Sequence, residues 1–121
     1  IAHWQAVAIA ACEQCGANRV PLIHPVQSLP HFLRAAQAPS VVAADAPPAR
    51  LLLSLQVGAS HLRAWPAKAD QGPVLFLSGP EGGLSPAEEA LAIEAGFVPQ
   101  SLGARTLRAE TAALVALAHF L

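Results

Sequence analysis

Apolar residues in this chain fall into short runs separated by glycine and proline. Residues 2–15 form an alanine-rich stretch with Val7, Ile9 and Ala10 set among polar positions. That spacing predicts a helix ended by Gly16 at a C-cap position. Pro21, Pro25 and Pro30 punctuate the next stretch, and Ser28-Leu29-Pro30-His31-Phe32-Leu33 predicts a helix start with Ser28 as N-cap. Residues 40–44 (SVVAA) are a short apolar run that predicts a buried strand, followed by a turn over 45–48. Residues 50–55 fit helix and strand equally well. Residues 64–72 read as a polar loop holding Pro66 and Asp70. Residues 73–78 (PVLFLS), bounded by Gly72 and Gly79, predict a buried strand.

The C-terminal half has clearer local signals. Ser85-Pro86-Ala87-Glu88 reads as a capping box: Ser85 caps, Pro86 takes the first helical position, and Glu88 reaches back to the cap amide. The helix it opens should run to about Ala95 and stop at Gly96. Residues 97–102 predict another strand, 103–108 a loop, and 109–121 a last helix. That helix is apolar almost all round and is therefore expected to be buried. Strands alternating with helices imply an α/β fold, a largely parallel sheet with helices on both faces. No internal repeat is visible.

Composition narrows the picture. The 121 residues make one domain, large enough to bury roughly two-thirds of the surface its unfolded form exposes. Charged residues are 12% of the chain, against about 25% in average soluble domains. So few charges imply a surface partly covered by a dimer partner or a neighbouring domain. The net charge is −1, which leaves no basic field to hold nucleic acid, so a phosphate grip would have to come from elsewhere. The chain opens on Ile1 and contains no Met, which predicts a piece of a longer or processed chain. Residues 1–11 lack a basic n-region of a signal peptide. No run reaches the roughly 18 apolar residues of a membrane span. Two Cys make no disulfide scaffold. The expectation is a soluble, cytoplasmic protein.

Two constellations carry chemistry. Leu77-Ser78-Gly79-Pro80-Glu81-Gly82-Gly83 lies between a strand and a helix start, where open α/β sheets bind ligands. Its glycines permit close backbone approach. There is no Gly-Lys-Ser/Thr and no G-x-G-x-x-G, and Glu81 would repel phosphate. A carboxylate with exposed carbonyls suits a ligand bearing positive charge and hydroxyls, as S-adenosylmethionine does. The second constellation, residues 101–112 (SLGARTLRAETA), also joins a strand end to a helix. Glu110 suits the helix dipole there, but Arg105 and Arg108 oppose it, and such a local conflict points to function.

GPEGGLSPAE (79–88) followed by SLGARTLRAETAA (101–113) closely resembles the 16S ribosomal RNA uridine-N3 methyltransferase family of the SPOUT superfamily. Glu13-Gln14-Cys15-Gly16 with Asn18-Arg19-Val20-Pro21 resembles that family's EQ-x-GR-x-x-x-P segment, so the likeness covers most of the chain. The resemblance implies a SPOUT-type domain with a C-terminal trefoil knot over residues 1–121, incomplete at its N-terminus. It further implies S-adenosylmethionine as cofactor, a homodimer with its active site near the subunit interface, and 16S ribosomal RNA or the small ribosomal subunit as substrate. By matching position it assigns cofactor binding to Leu77, Gly79, Glu81, Gly82, Leu102, Gly103, Leu107 and Arg108. Most of these would act through backbone groups, with Leu102 and Leu107 flanking the adenine. The catalytic candidates are Arg105, Arg108 and Glu110. Three features depart from the family. Ala17 stands where Arg is usual, Ser78 replaces an aliphatic residue, and the resemblance implies an N-terminal RNA-binding β-barrel and a first strand and helix that residues 1–121 are not expected to contain.

Such a reaction makes its own chemical demands. The ring nitrogen between uracil's carbonyls is weakly acidic and must lose its proton before attacking a methyl group. Arg105 or Arg108 could stabilise the anion. Glu110 either accepts the proton or orients an arginine; both roles stand open. Rival readings are a non-catalytic cofactor-binding module, a dimerisation piece, and a redox or zinc site at Cys12-Glu13-Gln14-Cys15. The last is the weakest: the pair falls at a helix C-terminus, where the dipole raises thiol pKa, and His24 and His31 are poorly spaced as zinc ligands. No metal is expected. Trp4 and Trp65 are assigned to core or interface packing, and His3, His61 and His119 to packing or surface.

Overall fold

Leu51 and Leu52 are neighbours in sequence and both are wholly buried, which requires a strand covered on both faces. The computed structural model describes residues 1–37, 47–66 and 72–120. Among these, the two leucines lie in β1 (Ala49–Leu53), inside a sheet completed by β2 (Ser60–His61), β3 (Val74–Leu77) and β4 (Val98–Ser101). The strand order is β2-β4-β1-β3 and every pairing is parallel. The helices are α1 (Ala2–Cys15), α2 (Leu29–Gln37), α3 (Pro86–Glu94) and α4 (Ala109–Ala118), with a 3-10 turn over Leu62–Ala64.

Side chains alternate across the sheet as the period of two demands. Leu52, Leu75 and Leu77 face one side, where they meet Leu33 of α2 and Ala92, Ala95 and Phe97 in and after α3. Leu51, Leu53, Val74 and Phe76 face the other, against Leu62, Ala116 of α4, Trp65 and Phe120. Phe76 and Phe120 meet edge to face with ring centroids 5.5 Å apart. Trp65 is thus a packing residue of the second cluster, whereas Trp4 on α1 is largely exposed.

Arg50 joins three elements. From β1 its guanidinium donates to the carbonyl of Ala95, at 2.8 Å, and to that of Ala36. Both carbonyls lie at helix C-terminal ends, where a cation satisfies orphan acceptors and complements the dipole.

Helix ends follow the local signals. Gly16 takes φ 72° and closes α1. The capping box is complete: Glu88 N–H donates to Ser85 Oγ at 3.2 Å, and Ser85 N–H donates to the Glu88 carboxylate at 2.8 Å. Those bonds, backbone first and hydroxyl second, hold the Glu88 carboxyl below its usual range. Of the ambiguous stretch 50–55, residues 50–53 resolve as strand, because Leu51, Leu52 and Leu53 fill the two cores, while Ser54 and exposed Leu55 follow it.

Three expectations need correction. The segment at 73–78 has only β1 beside it among the described residues, and all four β3 residues are half-buried rather than buried. The last helix is not buried: Ala116 alone is fully covered, and Leu114, Val115 and Leu117 are exposed. An all-round apolar helix lying on one face of a sheet can cover only one of its own faces. The two-residue β2 was not expected at all. The strand expected at 40–44 and residues 67–71 of the expected polar loop lie outside the described residues.

Candidate functional site

β1, β3 and β4 all run the same way, so their carboxyl ends and the loops after them converge. Between these loops lies a cavity of about 360 Å³, within the usual span of small-molecule sites. Three stretches line it: 53–55 after β1, 78–83 after β3, and 100–109 after β4, with Ala112 of α4 behind.

The 78–83 loop is a tight return. Gly83 N–H donates to Pro80 C=O at 2.9 Å. Gly82 and Gly83 have φ of 86° and 82°, which side chains other than glycine's resist. At Gly79 the restriction is spatial: an added Cβ would stand 2.7 Å from the Leu84 nitrogen and 2.8 Å from the Gly83 carbonyl carbon. The loop after β4 is braced by Ser101, whose Oγ accepts from Gly103 N–H at 3.1 Å and donates to Gly103 C=O at 3.3 Å. Gly103 itself takes φ 132°.

Charge is divided across the cavity. Exposed Glu81 belongs to one loop, and exposed Arg105 and Arg108 belong to the other. Arg108 is the N-cap of α4 and makes no side-chain capping bond. The first turn of α4 borders the cavity through Ala109 and Ala112, and its unpaired N–H groups add to the positive side. One carboxylate facing two guanidinium groups and a helix N-terminus suits a zwitterionic ligand.

Of the residues singled out from sequence, Gly79, Glu81, Gly82, Leu102, Gly103, Arg105, Leu107 and Arg108 come together around the cavity. Leu77 and Glu110 do not line it. Leu77 ends β3 and packs into the first core cluster. Glu110 is exposed in the first turn of α4. Sequence reasoning missed the wall at 53–55 and the buried Gln100. A serine following the apolar run 51–53 was the available signal for the wall, obscured because 50–55 fitted helix and strand alike. Cys12 and Cys15 are free and distant in sequence from these loops. Among the described residues no group of three or more His, Cys, Asp or Glu is placed to hold a metal ion. No helix among them is long and apolar enough to cross a membrane.

A ribosomal RNA small subunit methyltransferase E of Mycobacterium bovis is 36% identical over 115 residues, 95% of this chain and 42% of that protein. The crystal structure of a ribosomal RNA small subunit methyltransferase E from Neisseria gonorrhoeae, bound to S-adenosyl methionine, is 37% identical and superposes with a TM-score of 0.79 over 97% of this chain and 45% of that one. A Legionella pneumophila protein assigned as a methyltransferase and solved with SAM bound is 36% identical, with a TM-score of 0.78 over 98% and 44% of the two chains. The chain therefore spans less than half the length of these relatives. The family model of the RNA methyltransferase domain matches residues 1–121, and the chain belongs to that family.

Proposed function

We propose that this chain is the cofactor-binding and catalytic part of an S-adenosylmethionine-dependent ribosomal RNA methyltransferase, acting on N3 of a uridine in 16S RNA of the small subunit. The observation that carries the reading is the cavity enclosed by the 79–83 and 101–108 loops, with one carboxylate on the first and two arginines on the second. The fit to the cofactor rests on this structure. The volume suits a small molecule, the glycine backbone leaves open space at Gly82, and the divided charge matches an ammonium, a sulfonium and a carboxylate. Gly79, Glu81, Gly82, Leu102, Gly103, Leu107 and Arg108 would hold it, and Leu77 would support the first loop from within β3. Bound S-adenosylmethionine supplies an electrophilic methyl group on sulfur.

The residues of the chain do the rest. Arg105 and Arg108, at the cavity and exposed, stabilise the uracil anion at a carbonyl oxygen. Glu110 is two residues beyond Arg108 and off the cavity wall. Both of its roles stand: it takes the uracil N3 proton through a water, leaving the ring nitrogen's electron pair free to attack the methyl as the bond to sulfur breaks, or it orients an arginine.

The same reading takes the C-terminal segment as a SPOUT trefoil knot. It is supported by β4, which slots between β1 and β2 although it follows both in the chain. A cytoplasmic homodimer, with RNA or the small subunit as partner, completes the proposal; the exposed apolar residues of α4 support a second copy.

A thermal melt with and without S-adenosylmethionine tests the core of it. Ligand at a hundredfold its dissociation constant adds about 2.7 kcal/mol of stability. A clear rise in Tm that Gly82→Val abolishes is the expected result. A folded protein with no shift at millimolar ligand would remove the cofactor from this chain.

A further inference from the structure

Buried carboxylates are rare unless they are paired, and each one that is not needs a reason. Glu89 of α3 is such a group, only 6% exposed. Its single side-chain partner among the described residues is Ser54, which is equally buried and whose Oγ donates to both carboxylate oxygens, at 3.1 and 2.9 Å. No arginine, lysine or histidine is bonded to it there. An apolar residue at this α3 position would have filled the space without that desolvation cost.

Ser54 sits in the wall of the cofactor cavity. Three bonds fix it. Its N–H donates to Gln100 C=O at 2.9 Å, its Oγ–H donates to Glu89, and its Oγ accepts from Gln56 N–H at 3.0 Å. Leu55, between them, reaches the other side of the cavity: its Cδ1 lies 3.5 Å from where a Cβ on Gly83 would stand. The chain of contacts therefore runs from the Glu89 carboxylate through the Ser54 hydroxyl to Leu55 and the glycine loop. Without Glu89, Ser54 would keep its backbone bond to Gln100 and the Gln56 N–H bond to its Oγ, but its hydroxyl proton would lose its acceptor.

We propose that Glu89 is a positioning residue of the cofactor site, acting through Ser54 to hold the wall at 53–55 against the 79–83 loop. The inference rests on the cofactor reading above. Its test is calorimetric titration of S-adenosylmethionine into the wild-type chain and into Glu89→Gln, Glu89→Ala and Ser54→Ala, with an unliganded melt of each. Glu89→Gln keeps an acceptor for the serine hydroxyl and is expected to bind within about twofold of wild type. Ser54→Ala and Glu89→Ala are expected to weaken binding about tenfold, the value of one buried hydrogen bond lost. A variant carrying both Glu89→Ala and Ser54→Ala should bind no worse than the weaker single, because both changes break one link. Lower Tm with wild-type Kd in the alanine variants would mean a purely structural pair and overturn the inference alone. Should Glu89→Ala fail to fold, Ser54→Ala against Glu89→Gln decides the matter. Absence of binding by the wild-type chain would overturn the cofactor reading and this inference with it.

Discussion

At Gly79 the added methyl of an alanine would meet backbone, the Leu84 nitrogen at 2.7 Å, and backbone cannot rotate away as a side chain does. Gly82 differs: nothing lies within 4 Å of its missing Cβ, and only its φ of 86° opposes a side chain. The two substitutions should therefore separate. Gly79→Ala is expected to cost about 2–3 kcal/mol as overpacking, and Gly82→Ala about 1 kcal/mol from left-handed backbone; urea denaturation measures both. Equal costs would mean the 79–83 loop can move as a unit. Both glycines were legible in the sequence as a motif, but not the reason each is needed. The clash at Gly79 comes from the return of the chain at Gly83 and Leu84, a consequence of the folded turn. Ser54 offered only its place after the apolar run 51–53, and Glu89 and Gln100 carried no signal at all, because nothing in their own neighbourhoods marks them. They gain meaning only when α3 and β4 are brought beside β1.

Helix α3 owes its sharp start to local chemistry, which is why its N-terminus could be placed to the residue from Ser85-Pro86-Ala87-Glu88. Ser85→Ala should cost on the order of 1 kcal/mol. The partner bond gives a pH signature. The Glu88 carboxyl is depressed in the folded state, so its contribution is present above the unfolded value, about 4.3. It is lost as pH falls through the lower folded value. The stability difference between wild type and Glu88→Gln, from urea melts, should accordingly shrink below about pH 4. A difference that persists in strong acid would contradict the capping role. The C-terminal ends of α2 and α3 are secured from a distance instead, by Arg50. Arg50→Met keeps the aliphatic stem but removes both donors, and should cost about 2–3 kcal/mol in a denaturant titration. No local pattern around Arg50 announces this, just as none announces β2, whose two residues are strand only by virtue of pairing with Gln100 and Ser101.

At the level of the whole molecule, the apolar last helix was expected to be buried, and scarce charge to mean a surface covered by a dimer partner or a neighbouring domain. The fold places α4 on the outside of the sheet, with Leu114 67% and Leu117 58% exposed. Periodicity cannot distinguish these outcomes, because an apolar face reads the same whether its own chain or another covers it. Leu114 and Leu117 are three residues apart and so share a helix face, and leucines with little charge around them are the composition of an interface centre rather than of a solvated surface. The N-terminus of this same helix borders the cavity, so a second copy docked on α4 would stand beside the proposed catalytic arginines. That arrangement makes association and cofactor binding separable in experiment. In sedimentation velocity the wild-type chain is expected to run at twice its monomer mass, and Leu114→Glu with Leu117→Glu to run as a monomer, since two buried like charges per subunit outweigh what the contact provides. Because neither leucine lines the cavity, the monomer should still gain Tm with S-adenosylmethionine while losing methyl transfer to RNA. A wild-type chain that sediments as a monomer would assign the exposed face of α4 to some other neighbour, and a monomeric variant that still methylates RNA would place the whole active site within one copy.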